Sequence, residues 1–116
     1  MTDIMYSPKV DLKNKLCELT QYDVMQSSNA EFTSFPLITF YVADNEINYT
    51  LDNEIASQRI EAIVDLWAED SETLTQMLKD VESKLRTIFY KLTFSNDVPN
   101  IDNKVLHMTT RFEKII

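Results

Sequence analysis

The chain has 116 residues, 44% of them apolar and 10% aromatic, which suits one domain (1–116) able to bury its own core. Nineteen acidic side chains against eleven basic ones leave a net charge of −8, which repels phosphate backbones and argues against ordinary duplex binding. Glycine is absent, which excludes phosphate-cradling loops and dinucleotide-binding turns and leaves every tight turn to Asn, Asp or Pro.

From Val10 to Gln21, Leu12, Leu16 and Leu19 recur at the spacing of an amphipathic helix, with Pro8 placed to open it. Cys17, the only cysteine, falls inside this pattern and is expected to be a buried, inert thiol. A single cysteine permits no disulfide within the chain. Tyr22 to Ser34 has no steady period and is read as a long connection. Met1 to Val10 carries no secretory signal, and no apolar run approaches about 18 residues, so a reducing cytoplasm and no membrane are expected.

Pro36 suits the start of a strand, and Leu37 to Val42 is rich in β-formers. Asp44-Asn45 is the expected hairpin turn, since both residues tolerate positive φ. That register sets Val42 against Ile47, Phe40 against Tyr49 and Ile38 against Leu51, with Tyr41–Asn48 and Thr39–Thr50 on the more polar face. Arg59 to Trp67 alternates as a further strand, although the run can also be read as a helix, and Ala68 to Ser71 carries helix-starting chemistry. Leu74, Met77, Leu78, Val81, Leu85, Ile88, Phe89 and Leu92 form an apolar stripe, predicting a helix from Ser71 to about Lys91 that packs on the sheet. Asn96 to Asn100 is a turn or loop, and Val105 to Ile116 alternates as a last strand, with Leu106, Met108, Phe112 and Ile116 on one parity. The fold class is therefore α+β, an antiparallel sheet with helices packed on it, in the order α-β-β-β-α-β.

His107 is the only histidine. It shares the polar side of the last strand with Arg111 and Glu113, so it is read as structural, with neighbouring charges pairing across the sheet. One Cys, one His and no Gly leave few routes to an enzyme site, although abundant acids keep a paired-carboxylate hydrolase formally open. Between Asp44 and Glu72 there are nine acids (Asp44, Glu46, Asp52, Glu54, Glu61, Asp65, Glu69, Asp70 and Glu72) against Arg59 alone. Trp67 lies opposite the main apolar parity, which leaves it either in a smaller core against the first helix or at a contact between subunits.

Phe35 to Tyr41, Ile63 to Ala68 and His107 to Phe112, in this order and at this separation, resemble the tail-completion proteins of long-tailed phages and prophages. These are also called tail terminators or tail-to-head joining proteins, and the likeness runs from about residue 10 to 115. It implies a non-enzymatic virion assembly protein without cofactor, working as a homo-oligomeric ring, a hexamer, between the tail tube protein and the head connector protein. It implies a place at the head–tail junction after assembly in the host cytoplasm, with DNA passing through but not specifically bound. The resemblance leads one to expect a glycine near the end of the long helix, where this chain has Tyr90-Lys91-Leu92. In such a ring, Asp44, Glu46, Asp52 and Glu54 around the hairpin would line the lumen and repel DNA, the alternative being an outer, solubilising position. A different class also fits the composition: a small acidic binding module that mimics DNA and inhibits a host protein.

Overall fold

The computed structural model describes residues 6–29, 31, 32, 34–99 and 105–116. Its elements are α1 (Pro8–Leu16), β1 (Asp23–Gln26), β2 (Leu37–Tyr49), β3 (Ile55–Ala68), α2 (Ser71–Arg86), β4 (Lys91–Val98) and β5 (Leu106–Ile115), with a single 3-10 turn at Ser27–Asn29. The strands form one sheet in the order β1-β2-β3-β5-β4, antiparallel except where β1 runs parallel to β2. The α+β class is thus as expected, while the element order gains β1 and β4 and loses the short hairpin.

Pro8 opens α1, and Leu12 and Leu16 turn inward at i, i+4. The helix stops at Leu16, before the expected end. Cys17, one residue beyond the inward Leu16, caps it and is exposed, so the expected buried thiol is not found. Within the segment read as a connection, Asp23–Gln26 pairs with Leu37–Phe40 as β1. Tyr22 anchors this stretch to α2, its hydroxyl donating to Asp80 Oδ2 at 2.6 Å.

Burial, reinforced by the Asp80 carboxylate, pushes the Tyr22 phenol up to about 12. The neutral phenol is the form the fold prefers, so this contribution is complete below pH 10 and is lost as pH rises through about 12. Thermal melts across that window should therefore fall more steeply with pH for the wild type than for Tyr22→Phe. Parallel slopes would show that the Tyr22–Asp80 contact does not couple to folding.

The expected hairpin turn at Asp44-Asn45 is overturned. β2 continues straight through it to Tyr49, pairing with β3 so that Phe40 lies opposite Val64, and Tyr49 opposite Ile55. The turn is Thr50 to Glu54, where Thr50 N–H bonds to Glu54 O at 2.7 Å and Asn53 takes φ 62°. Asn is among the few residues other than glycine that tolerate this conformation readily. The longer register wins because it sets Ile38, Phe40 and Val42 against Leu66, Val64 and Ala62, extending one apolar face that the short hairpin would have cut off from β3.

α2 begins at Asp70, whose carboxylate accepts from Thr73 N–H at 2.7 Å, a bond that holds the Asp70 carboxyl below its usual range. The helix ends at Arg86, earlier than expected. Tyr90 N–H bonds to Leu85 O and Phe89 N–H to Arg86 O, both at 3.0 Å, the hydrogen-bond pattern of a Schellman ending. Phe89 occupies its left-handed position at φ 70°. Glycine is the usual residue at such a helix ending, and a residue with a Cβ costs roughly 1–2 kcal/mol there.

Leu92, expected on the helical stripe, instead belongs to β4, which pairs with β5 from Lys91 to Val98. Asn96 to Pro99 is therefore strand and strand exit rather than a turn, and Asn100 lies outside the described residues. As an edge strand with mostly exposed polar side chains, β4 carries little apolar signal of its own. β5 follows expectation in part: Phe112 is buried and Leu106 and Met108 pack at the core margin, but Ile116 lies beyond the strand and is exposed.

The core lies on one face of the sheet. Leu74, Met77, Val81 and Leu85 of α2 and Leu12 and Leu16 of α1 pack with Ile38, Phe40, Ile60, Ala62, Val64, Leu66 and Phe112. Ile88 joins at the margin, while Phe89 is exposed.

Candidate interaction surface

Both helices take the same face, so the other is left to side chains of the strands and one loop. The register arranges that face in rows across the sheet. Farthest from the β2–β3 turn, Leu37, Trp67, His107 and Val98 make one row, and Thr39, Asp65, Thr109 and Asn96 the next. Tyr41, Ile63, Arg111 and Phe94 follow, then Asp44, Glu61, Glu113 and Lys91.

The far end of the face is closed by aromatic packing. His107 stacks on Trp67 with ring centroids 3.7 Å apart, and Phe32 meets the same indole edge-on at 4.8 Å. Trp67 Nε1–H donates to Thr39 Oγ1 at 3.1 Å, which satisfies the only polar atom of the indole over a buried threonine. His107 Nε2 and Asp65 Oδ1 lie 3.0 Å apart. Trp67 therefore does not join a second core against α1. His107 is held in place by a stack on one side and a carboxylate on the other.

Nearer the turn the face carries charge. Arg59 contacts Glu113 at 2.7 Å, Asp44 at 3.6 Å and Glu61 at 4.0 Å, and Arg111 Nε contacts Glu61 at 2.8 Å. The bond to Glu113, then its charge, holds the Arg59 guanidinium even more firmly protonated than usual. Exposed pairs of this kind fix side-chain geometry more than they stabilise the fold. Between the two zones the row Tyr41–Ile63–Arg111–Phe94 leaves two rings about half exposed, with the Arg111 guanidinium 6.0 Å from the Phe94 ring.

Beyond these rows the sheet narrows to a two-stranded arm. β3 is flanked by β5 and Ile116 only as far as Gln58, and β2 by β1 only as far as Phe40, so among the described residues Ile47 to Ser57 has no third strand beside it. The molecule measures 54 × 26 × 24 Å, elongated as such an arm requires. Its root is tied by Gln58, a buried side chain whose Nε2 donates to Asn45 Oδ1 at 2.8 Å and to Tyr6 O at 3.0 Å, while its Oε1 accepts from Tyr6 N–H at 3.2 Å. At the tip Leu51 is fully exposed and Tyr49 is 60% exposed.

The four acids expected to cluster around the hairpin divide into two pairs. Asp44 and Glu46 lie within β2, Asp44 paired with Arg59, whereas Asp52 and Glu54 lie in the tip turn. Sequence reading missed Tyr49 and Leu51 as surface residues because it used them as inward partners of Phe40 and Ile38. A fully polar Thr50, Asp52, Asn53 and Glu54 around Leu51 was the signal for a second possible turn.

Among the described residues, no three His, Cys, Asp or Glu side chains are grouped to hold a metal ion. Among the same residues, no helix is long and apolar enough to cross a membrane. Comparison with models of known protein families found no match, and comparison with curated protein sequences found none either. What the fold defines is a five-stranded α+β protein with an uncovered sheet face and a projecting, apolar-tipped arm.

Proposed function

We propose that this chain is a structural subunit that assembles with copies of itself into a ring closing the tail of a long-tailed phage, joining tube to head connector. The observation that carries the reading is the arm. Among the described residues it ends in a fully exposed Leu51 beside a largely exposed Tyr49, and exposed apolar groups of this kind favour contact with another surface. The uncovered rings of Tyr41 and Phe94 and the sequence resemblance support the same reading.

Size-exclusion chromatography with light scattering is the first test, with a closed multimer expected at micromolar concentration. A phage that carries this gene gives the second. Deleting it should yield tails without heads or tails of uncontrolled length, and normal infectious particles would remove the assignment.

A further inference from the structure

Two exposed apolar patches on this chain carry opposite charge. The first is the arm tip, where Tyr49 and Leu51 sit beside the carboxylates of Asp52 and Glu54. The second is the corner where α2 turns into β4, an open hollow edged by Phe89, Leu92, Arg86 and Lys91. Phe89 is 79% exposed there and is held in the left-handed conformation by the helix ending. One carboxylate, Glu82, lies in this hollow and bonds Arg86 at 2.7 Å, leaving the corner with a cationic excess.

We propose that the arm tip of one copy docks into the α2–β4 corner of the next, Leu51 and Tyr49 against Phe89 and Leu92, Asp52 and Glu54 facing Arg86 and Lys91. This contact rests on the ring reading and names the surfaces that would build it. The occupant of the corner is a second copy because a chain cannot fill its own. Lys91 lies in the row of Asp44, on the far edge of the sheet from β2. The tip is five to seven residues further along, roughly 17–23 Å at the rise of a strand, and about three strand spacings away. Tip against tip, or corner against corner, would oppose like charges. Tip against corner leaves one tip and one corner free at the ends of any open chain of copies, and closure into a ring satisfies both.

A strained Phe89 at a glycine position fits the same account. Strain of this kind persists where the side chain has a use that a more relaxed residue would not serve.

Charge reversal tests the contact. Asp52→Lys with Glu54→Lys should leave monomers at concentrations where the wild type is assembled, and so should Arg86→Glu with Lys91→Glu. Mixing the two reversed proteins should restore assembly, since each then meets a complementary neighbour. Phe89→Gly should melt at a higher temperature than the wild type yet assemble at least tenfold more weakly, an outcome misfolding cannot produce. Reversed proteins that assemble like the wild type, or a mixture that stays monomeric, overturn the proposal and return Asp52 and Glu54 to a wall facing DNA or solvent. A wild type that stays monomeric at every concentration overturns both this contact and the ring. A wild type that forms only dimers overturns the ring, and the reversal pair then decides the contact alone.

Discussion

Leu85→Ala should destabilise the protein by about 2–5 kcal/mol, the range for truncating a fully buried leucine where neighbours collapse only in part. Leu85 is 0% exposed and lies in the last turns of α2, packed in the one core with Phe40, Tyr90 and Phe112. It also supplies the carbonyl that accepts Tyr90 N–H in the helix ending. The substitution leaves that backbone bond in place but removes the side chain that seats the turn on the sheet. The effect should therefore be near the top of the range, because a cavity beside a fixed turn closes poorly. Urea denaturation followed by far-ultraviolet circular dichroism measures it, with an unchanged slope and a lower midpoint expected. A loss under roughly 0.5 kcal/mol, the size of a surface substitution, would place the helix stripe away from the sheet.

The second large effect is at Gln58, where Gln58→Leu should cost about 1–3 kcal/mol. The volume is nearly conserved, so packing is not the issue. Three hydrogen bonds are: those to Tyr6 N–H, Tyr6 O and Asn45 Oδ1. Asn45 is exposed and water replaces its partner, whereas Tyr6 is half-buried and its two backbone groups are harder to satisfy. The loss should show first as faster amide exchange at the root of the arm, before global stability changes. An arm that exchanges as slowly as in the wild type would show that β2–β3 pairing holds it without the glutamine.

The consequences for assembly differ between these variants. Leu85→Ala should lower stability while leaving the arm and its tip intact. Gln58→Leu should loosen the lever that carries the tip, and so weaken association more than its stability loss suggests.

Much of the fold could be read from the sequence wherever the signal was periodic burial. The stripe Leu74–Met77–Val81–Leu85, the alternation through Arg59 to Trp67 and the inward set of β5 each report on one face of one element. Solvent sorts such residues before any partner is named. The pairing of His107 and Arg111 with carboxylates was equally legible, because parity on a strand puts those charges on one side.

Tertiary structure decided the rest. Asp44-Asn45 and Asp52-Asn53 are both acceptable turns locally, and either hairpin sorts its apolar residues to one face. The choice fell to the pairing of Ile38, Phe40 and Val42 with β3 across the sheet. β4 forms because β5 offers a ladder, since Thr93 to Asp97 bury almost nothing. Cys17 is exposed because α1 ends at Leu16, and Trp67 faces Phe32 and His107 rather than α1 because both helices claimed the opposite face. The sequence determines which residues avoid water, but several pairings satisfy that equally. Only the sheet as a whole, with every strand competing for the same partners, selects among them.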